Sequence, residues 1–356
     1  MTTHEHLQLV PLKNIPVTQF PEHLKLLGEP SFRVSQLMKW IYQKRLDTFE
    51  GMNNIPKKSK LLFKDNYSLA KLECKYHLES KHKDAVKFGF ITADKKGIIE
   101  SVLLIDGDRR TACLSSQLGC ALGCTFCQTG RMGFVRNLSQ EEIVGQLIGI
   151  NDFCEGKNDK LVTNIVFMGM GEALLNFDAF LSSLQIIMHD DAFNIGARRI
   201  TVSTAGIVPA IERLMEQDLT IGLAISLNAF DNKRRDRIMP VNRKYPIEEL
   251  VQIAKRYERK TGRTVTFEYV VAHGENDTPQ AVPALCSLLK GIKCKINVIP
   301  INPTNGSSQR LPSEKNLQEF ADALFNSGLA ATVRKSRGRD ISGACGQLGR
   351  LLKVDI

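Results

Sequence analysis

The chain has 356 residues, a hydrophobic share of 43% and a formal net charge of +10. This composition is ordinary for a globular protein with a hydrophobic core, and no apolar run reaches the length of about 18 residues that predicts a membrane span. The N-terminal sequence MTTHEHLQLV has neither the basic start nor the apolar core of a signal peptide, so we expect a cytoplasmic protein whose thiols stay reduced. The positive charge favours a polyanionic partner, nucleic acid first.

Residues 1–72 are expected to form a helical accessory domain. Apolar residues recur at helical spacing in the segment SFRVSQLMKWIYQKR, and Lys57, Lys58 and Lys60 follow Pro56 at the start of a second predicted helix. Two interpretations fit equally well: a small helical bundle with a solvated basic face, or a module that docks on RNA.

Residues 73–108 alternate between apolar and polar residues, with charged or glycine-containing turns between the runs. This pattern is typical of strands, and it predicts a β-hairpin extension. Glu100 lies in one of these strands, within the segment GIIES.

From residue 109 to residue 330, predicted strands alternate with predicted helices, which favours a mostly parallel sheet. Ser139 and Glu142 form a capping box at the start of the first of these helices. We count six strand–helix units, so the fold class is α/β and a partial (βα)6 barrel is expected. Residues 331–356 add one more strand and a tail.

Several unusual segments follow predicted strands. In a parallel α/β sheet the carboxyl ends of the strands meet at one edge, where function gathers. We therefore expect one common mouth to be lined by a cysteine-rich loop and by the segments 168–172, 203–206, 226–228 and 299–302.

The cysteine-rich loop follows the first barrel strand. Cys120, Cys124 and Cys127 have the spacing C-x3-C-x2-C, and three thiolates on one loop can hold three irons of a cubane iron–sulfur cluster. No further cysteine or histidine follows nearby, so the fourth iron would stay open to a bound molecule. The alternative is a structural zinc site or a disulfide cluster, although zinc prefers four protein ligands in two separate pairs.

Six segments together resemble one family, the RlmN/Cfr radical S-adenosylmethionine (SAM) adenine methyltransferases of large-subunit ribosomal RNA. They are RTACLSSQLGCALGCTFCQTG, FMGMGEALLN, STAGIVPAI, RIMPVNRKYPIEEL, KINVIPINP and RGRDISGACGQL. The resemblance runs from about residue 30 to residue 350 in the same motif order. It implies a partial (βα)6 radical SAM barrel with an N-terminal helical domain that associates with RNA.

The resemblance also implies a role for individual residues. Cys120, Cys124 and Cys127 would hold a 4Fe–4S cluster, Cys345 would carry the methyl group, Cys113 would be its redox partner, and Glu100 would be a proton acceptor. The SAM pocket would be formed by Gly171, Glu172, Ser203, Ser226, Leu227, Asn228 and Asn302. The family usually has His where this chain has Asn228, and an amide can still form hydrogen bonds to SAM.

The chemistry implied by the resemblance uses two SAM molecules per turnover. Ring carbons 2 and 8 of adenine are electrophilic, so a radical route replaces simple methyl transfer, and the cofactor carries the hard step. One SAM methylates the Cys345 thiolate, and the cluster cleaves a second SAM to a radical that takes hydrogen from methyl-Cys345. The resulting adduct with RNA is released when Cys113 attacks Cys345 and forms a transient disulfide. Four basic residues just upstream of Cys345 could favour the thiolate: Arg334, Lys335, Arg337 and Arg339.

The expected substrate is an adenosine of large-subunit rRNA, with carbon 2 favoured over carbon 8, and transfer RNA is a second substrate class. The expected protein partner is an electron donor such as flavodoxin or ferredoxin, and a monomer without membrane attachment is expected. Alternatives are an RlmN-like enzyme with another RNA target, a radical SAM enzyme with a non-RNA substrate, or a basic iron–sulfur or zinc RNA-binding protein. The basic residues Lys233, Arg234, Arg235 and Arg237 are predicted to form a solvated helix face or to contact phosphate.

Overall fold

The computed structural model describes residues 9–302, 304 and 309–349. The outer ends of two predicted domains, residues 1–8 and 350–356, lie outside the described residues. In the described part of the chain, no helix combines the length and the apolar composition that crossing a membrane requires.

The N-terminal region is mainly helical, as predicted. Pro21 lies in the first turn of its first helix and Pro56 directly precedes its third, positions that tolerate proline because those amides have no partner within the helix. Its elements are β1 (Val10–Pro11), α1 (Phe20–Leu26), α2 (Arg33–Met38), continued by a π-helical turn (Lys39–Gln43), α3 (Lys57–Asn66) and β2 (Tyr67–Ser68).

Four strands follow, each antiparallel to the one before it. They are β3 (Cys74–Glu79), β4 (Ala85–Ile91), β5 (Ile98–Asp106) and β6 (Arg109–Cys113). Strand β6 then pairs in parallel with the strand at Asn164–Phe167. The predicted hairpin extension is therefore continuous with the sheet of the barrel.

A small second sheet frames the cysteine-rich loop. Strands β7 (Gln117–Gly119) and β8 (Phe134–Asn137) pair in antiparallel fashion, and the short helix α4 (Gln128–Arg131) lies between them in the chain. The loop thus leaves and returns at adjacent points, which holds its cysteines beside the end of β6.

The remaining strands continue the main sheet, which has ten strands in all among the described residues. Seven of them, from β6 onward, run parallel. The strands are β9 (Asn164–Phe167), β10 (Ile200–Thr204), β11 (Gly222–Ser226), β12 (Val265–Val271), β13 (Cys294–Pro300) and β14 (Ala331–Val333). They lie side by side in chain order, from β6 and β9 to β14.

Helices connect these strands. They are α5 (Gln140–Gly156), α6 (Phe177–Met188), α7 (Val208–Met215), α8 (Asn232–Ile238), α9 (Ile247–Thr261), α10 (Ala281–Leu288) and α11 (Glu314–Asn326). Each strand from β6 to β13 in the parallel series leads to a helix before the next strand, which confirms the predicted partial (βα)6 barrel. The predicted extra strand is β14.

Two hydrophobic clusters hold these layers together. The larger one joins strand residues such as Val202 and Phe267 to helix residues such as Leu250. The smaller one contains the buried side chains of the N-terminal region together with Val144 and Ile148 of α5. The N-terminal region therefore packs on the outer helical layer of the barrel.

Candidate active site

One cavity lies at the carboxyl ends of the parallel strands and opens to solvent. Its volume is about 980 Å³ when the space open to solvent is included. Ten of the site residues predicted from the sequence lie in its wall: Cys120, Cys124, Cys127, Gly171, Glu172, Ser203, Ser226, Asn228, Asn302 and Cys345. The expected common mouth is therefore present.

Backbone conformation shapes the loop that carries the first three cysteines. Gly119 has a φ of +77°, and a Cβ at this position would collide with the carbonyl oxygen of Gly133. The same carbonyl accepts a hydrogen bond of 2.9 Å from the amide of Cys120. Glycine is needed here because the loop closes on itself where β7 and β8 meet.

The three thiols are close enough to influence one another. Burial raises the pKa of Cys120 to about 11. Burial also raises the pKa of Cys124, and the neighbouring Cys127 and Cys120 raise it further. Three thiolates here would need a strong positive charge beside them, which a bound metal supplies.

The GMGE turn after β9 places Glu172 in the wall of the cavity. Gly171 has a φ of +92°, and any side chain there would collide with Gln117. The Glu172 carboxylate accepts hydrogen bonds from the amides of Ala205 (2.8 Å) and Leu174 (3.3 Å). Burial nevertheless raises the pKa of Glu172 to about 7, so a cationic ligand group would favour its ionised form.

The end of β11 does not use all three predicted residues in the same way. Ser226 and Asn228 line the cavity, whereas Leu227 is fully buried in the hydrophobic core. Asn228 has a φ of +57°, a conformation that asparagine tolerates well. Its Oδ1 accepts a 2.9 Å hydrogen bond from the Val270 amide. The amide side chain thus stabilises the end of the neighbouring strand.

The C-terminal tail completes the cavity. Asn302 Nδ2 donates to the carbonyl of Cys345 at 3.0 Å, and the amide of Gln128 donates to the carbonyl of Gly346 at 2.7 Å. Thr129 Oγ1 donates to the carbonyl of Leu348, also at 2.7 Å. The tail is thus fastened to α4, directly after Cys127.

Cys345 and Cys113 are brought near each other. The Cys345 side chain is exposed because it lines the open cavity, and the walls of that cavity surround it with protein. Cys113, at the end of β6, is buried outside the cavity wall. Burial raises the pKa of Cys113 to about 12, Cys345 raises it further, and Arg334 opposes the rise. Burial also raises the pKa of Cys345, and the charge of Arg334 again opposes the rise.

Glu100 does not belong to the cavity wall. It is buried in β5, where its Oε1 accepts hydrogen bonds from Tyr76 Oη (2.7 Å) and pairs with Lys87 Nζ (3.1 Å). Its Oε2 accepts a 2.5 Å hydrogen bond from the amide of Gly349. In this structure the carboxylate therefore anchors the tail that carries Cys345.

The comparisons with known proteins agree with this geometry. The family model of the Radical SAM superfamily matches residues 114–282, and that of the ribosomal RNA large subunit methyltransferase N-terminal domain matches residues 10–67. The chain is 41% identical over 343 residues to the dual-specificity RNA methyltransferase RlmN of Marinobacter nauticus, covering 95% of this chain and 92% of that protein. It is 41% identical over 328 residues to the probable dual-specificity RNA methyltransferase RlmN of Thermotoga maritima, covering 92% and 94% of the two chains.

The crystal structure of a radical SAM methyltransferase from Sphaerobacter thermophilus has the same fold. Its TM-score is 0.90 at 39% identity, and the match covers 95% of this chain and 98% of that chain. The chain belongs to the RlmN family of radical SAM RNA methyltransferases. An RlmN enzyme is a SAM-dependent methyltransferase, and its superfamily implies a 4Fe–4S cluster.

The donor set of this RlmN-family chain fits such a cluster better than it fits zinc. The cysteine-rich loop brings three thiol donors to the cavity, whereas a structural zinc site takes four protein ligands. A cubane spreads its ligand sulfurs over different irons, so it does not require three thiols around one ion. All nine cysteines of the chain are free thiols in this structure.

Sequence reasoning missed two charged residues of the RlmN-family site. Glu268 lines the cavity from β12. Its Oε1 accepts a 3.0 Å hydrogen bond from Asn297, whereas its buried Oε2 has no hydrogen-bond partner among the described residues. A glutamate between apolar neighbours in the strand TVTFEYVVA was the available signal.

The prediction for Arg235 was wrong: it belongs neither to a solvated face nor to a phosphate-binding surface, because it is completely buried.

Proposed function

We propose that this enzyme methylates carbon 2 of an adenosine in large-subunit rRNA and in transfer RNA, through a methyl group carried on Cys345. The observation that supports the proposal best is that Cys345 lines the same cavity as Cys120, Cys124 and Cys127, while Cys113 lies buried close by. Curated relatives that match most of the chain are named dual-specificity RNA methyltransferases, which agrees with two RNA substrate classes.

In this proposal Cys120, Cys124 and Cys127 hold the 4Fe–4S cluster, and Gly171, Glu172, Ser203, Ser226, Leu227, Asn228 and Asn302 form the SAM pocket. The bound cluster would supply the electron that cleaves SAM to a carbon-centred radical. Glu172 would accept a hydrogen bond from the SAM ammonium, a contact that its backbone partners at Ala205 and Leu174 leave room for. Leu227 contributes through its backbone, since its side chain is buried in the core.

Cys345 acts first as a nucleophile. Its thiol loses a proton, the thiolate forms a bond to the methyl carbon of the first SAM, and the sulfonium leaves as a neutral thioether. Arg334 lies in the wall of the same cavity and works against the rise that burial causes in the pKa of Cys345. Arg334 therefore offsets part of the cost that burial imposes on forming the Cys345 thiolate.

Cys113 acts in the release step. After methyl-Cys345 has lost a hydrogen atom to the radical from a second SAM, its methylene carbon would bond to the adenine ring, and the adduct would give up one electron, which the bound cluster could take back. The Cys113 thiolate then attacks the Cys345 sulfur and forms a disulfide, and the carbon–sulfur bond to Cys345 breaks with its electron pair moving into the methylene carbon and the ring. The ring proton is lost, and the methylene carbon takes up a proton that completes the methyl group. Glu100 remains the proposed acceptor of the ring proton on the family resemblance alone, since its carboxylate lies outside the cavity wall and binds the tail at Gly349. An electron donor such as flavodoxin or ferredoxin would supply the reducing electrons.

The target base must leave its stack to reach the cavity, so loops or partly folded RNA are the expected substrates. We propose that residues 1–72 dock RNA beside the barrel core of residues 109–330, with residues 73–108 as the strand extension and residues 331–356 as the catalytic tail. The enzyme would work as a monomer in the cytoplasm, where thiols are kept reduced. This chain has Asn228 where the family usually has His. The choice of carbon 2 over carbon 8 therefore rests on the overall likeness of the chain to its RlmN relatives.

The test uses anaerobically reconstituted full-length protein, SAM, a reductant and rRNA or tRNA, with modified nucleosides identified by mass spectrometry. Cys345→Ala is expected to abolish methylation because no methyl carrier remains. Cys113→Ala is expected to accumulate a covalent protein–RNA adduct because release fails. Cys286→Ala is the matched control, since this half-buried thiol lies outside the cavity and its loss should leave both readouts unchanged.

Two results would contradict the proposal. If the RNA adenosines stay unmethylated after incubation with an iron-loaded wild-type enzyme, the assigned reaction is wrong. A Cys113→Ala variant that turns over without any adduct would remove Cys113 from the mechanism.

A further inference from the structure

A guanidinium lies completely buried behind the wall of the cavity. Arg235, in α8, donates from Nη2 to the carbonyls of Ala205 (2.6 Å) and Ser226 (3.0 Å), and from Nε to the carbonyl of Leu227 (3.1 Å). Its Nη1 donates to Asn242 Oδ1 at 3.0 Å. One side chain thus joins the carboxyl ends of β10 and β11, both of which line the proposed SAM pocket.

The same residue lies beside the cysteine-rich loop. The amide of Thr125, directly after Cys124, donates a 3.0 Å hydrogen bond to the carbonyl of Ile238 at the end of α8. The carbonyl of Ala205 accepts a hydrogen bond from Arg235, and the amide of Ala205 donates one to the Glu172 carboxylate. The buried guanidinium therefore contacts the cavity wall between the proposed cluster ligands and the proposed SAM contacts.

Arg235 has no carboxylate partner: among the described residues, none forms an ion pair with it, and its four acceptors are neutral oxygens. A buried charge without an opposite charge is costly. Burial lowers the pKa of Arg235 to about 10, and Cys124 is the strongest opposing influence. Asp236 also opposes this lowering of the pKa and is joined to the guanidinium through Asn242. The remaining compensating charge is therefore expected on the thiolate side of the cavity.

We propose that Arg235 is a positioning residue that serves both halves of the cofactor site: its charge balances the negative charge of the cysteine-bound cluster, and its fork of donors fixes the ends of β10 and β11 against SAM. The inference rests on the proposed cluster site. A nearby cation stabilises the reduced cluster, which carries one more negative charge, and so raises its reduction potential. The planar guanidinium reaches four acceptors, an arrangement that lysine cannot reproduce.

The two functions can be separated by two substitutions. Arg235→Lys keeps the charge and loses most of the hydrogen bonds, whereas Arg235→Gln loses the charge as well. Arg237→Gln is the matched control because Arg237 is an exposed residue of the same helix. The full-length proteins are reconstituted anaerobically; the midpoint potential is measured by a redox titration followed by electron paramagnetic resonance, and SAM affinity by equilibrium dialysis.

Arg235→Lys is expected to weaken SAM binding about tenfold, the effect of losing one or two hydrogen bonds, with a nearly unchanged midpoint potential. Arg235→Gln is expected to weaken SAM binding as much and to shift the midpoint to more negative values. Wild-type values of both quantities in Arg235→Gln would overturn the inference. If the glutamine variant takes up no iron, the lysine variant decides, and unchanged SAM affinity there overturns it. A wild-type protein that binds no 4Fe–4S cluster would instead overturn the proposed function.

Discussion

At the scale of single residues, Glu268 shows how the site departs from an ordinary protein interior. It is almost completely buried. Asn297 donates a hydrogen bond to one of its carboxylate oxygens, and the other has no hydrogen-bond partner in the part of the chain that the structure describes. Burial raises the pKa of Glu268, with Arg334 opposing the rise. A core chosen only for stability would not keep this group, so its presence marks the cavity as a binding site.

We predict that Glu268→Gln stabilises the SAM-free protein in a pH-dependent way. The folded state raises the pKa of Glu268 above its unfolded value, so folding favours the protonated form. The stability that this proton confers is complete below the unfolded pKa of about 4.3 and is lost as the pH rises through the folded pKa. Glutamine does not titrate and keeps the acceptor for Asn297.

Urea unfolding of both proteins between pH 4 and pH 8 checks this prediction. The advantage of the glutamine variant should be small in acid, grow as the pH rises, and then level off. Glu275→Gln is the control, since Glu275 is exposed in a loop. An advantage for Glu268→Gln that is constant over the whole range would refute the assignment.

Local spacing made part of the site predictable from the sequence. Cys120, Cys124 and Cys127 lie within one loop, so their common destination follows from chain geometry alone. The approach of Cys345 to Cys113 depends on the order of seven parallel strands, and it was inferred from family resemblance rather than from a local pattern. The burial of Arg235 could not be predicted, because its helix carries charged residues on all sides of it, and only tertiary contacts decide which one turns inward.

At the scale of elements, α5 is the helix whose start the sequence predicted best. Ser139 Oγ accepts from the Glu142 amide at 3.2 Å, and Glu142 Oε2 accepts from the Ser139 amide at 3.0 Å. The Glu142 carboxylate also binds Arg136 and the amide of Ala93. The capping box is therefore also a joint between α5, β8 and the turn before β5. The capping box itself is a local signal that the sequence reveals. The contact of Glu142 with Ala93 depends on the tertiary fold and cannot be read from the sequence.

We predict that Ser139→Ala lowers the free energy of unfolding by about 1 kcal/mol, the usual cost of removing an N-cap side chain. The Glu142 amide would lose its side-chain acceptor, Ser139 Oγ, while the Glu142 carboxylate keeps its other partners. Thermal or urea unfolding measures the change.

The comparison is Ser313→Ala at the start of α11, where the serine caps Asn316 at 3.1 Å without a reciprocal carboxylate. A similar or smaller loss is expected there. An undestabilised Ser139→Ala protein would show that Arg136 and Ala93 alone fix the start of α5.

At the scale of the whole molecule, Arg45 connects the N-terminal region to the barrel. It has a φ of +55° and is buried, and it donates to Asp152 Oδ1 at 2.8 Å and to Glu155, both in α5. Lys71 binds the second oxygen of Asp152 at 2.8 Å. Together with the apolar contacts of Val144 and Ile148, these ion pairs orient the N-terminal region on the outer helices. No sequence pattern linked positions 45 and 152.

We predict that Arg45→Ala costs about 2 kcal/mol of stability, in the range of hydrogen bonds to charged groups, and loosens the N-terminal region selectively. Hydrogen exchange should speed up in α2 and α3, while the parallel strands keep their protection. Mass spectrometry of peptides after timed exchange resolves the two regions.

Lys64→Ala is the control. It breaks the exposed pair of Lys64 and Glu50 (2.8 Å), and such pairs contribute little, so exchange should stay unchanged. Equal acceleration in the strands and in the N-terminal helices of Arg45→Ala would contradict a selective connection.

The tail that carries Cys345 is held at many points by residues from far earlier in the chain. Asp340 accepts from Ser80 Oγ at 3.0 Å and from the amide of Lys81 at 2.8 Å, and the amide of Gly349 reaches Glu100. Contacts of such sequence separation carry a large entropic cost until the structure between them exists, and they form slowly. We therefore expect the tail to dock late in folding. During refolding the thiol of Cys345 should then stay reactive toward added reagents after the sheet has formed, and the loss of that reactivity would report tail docking.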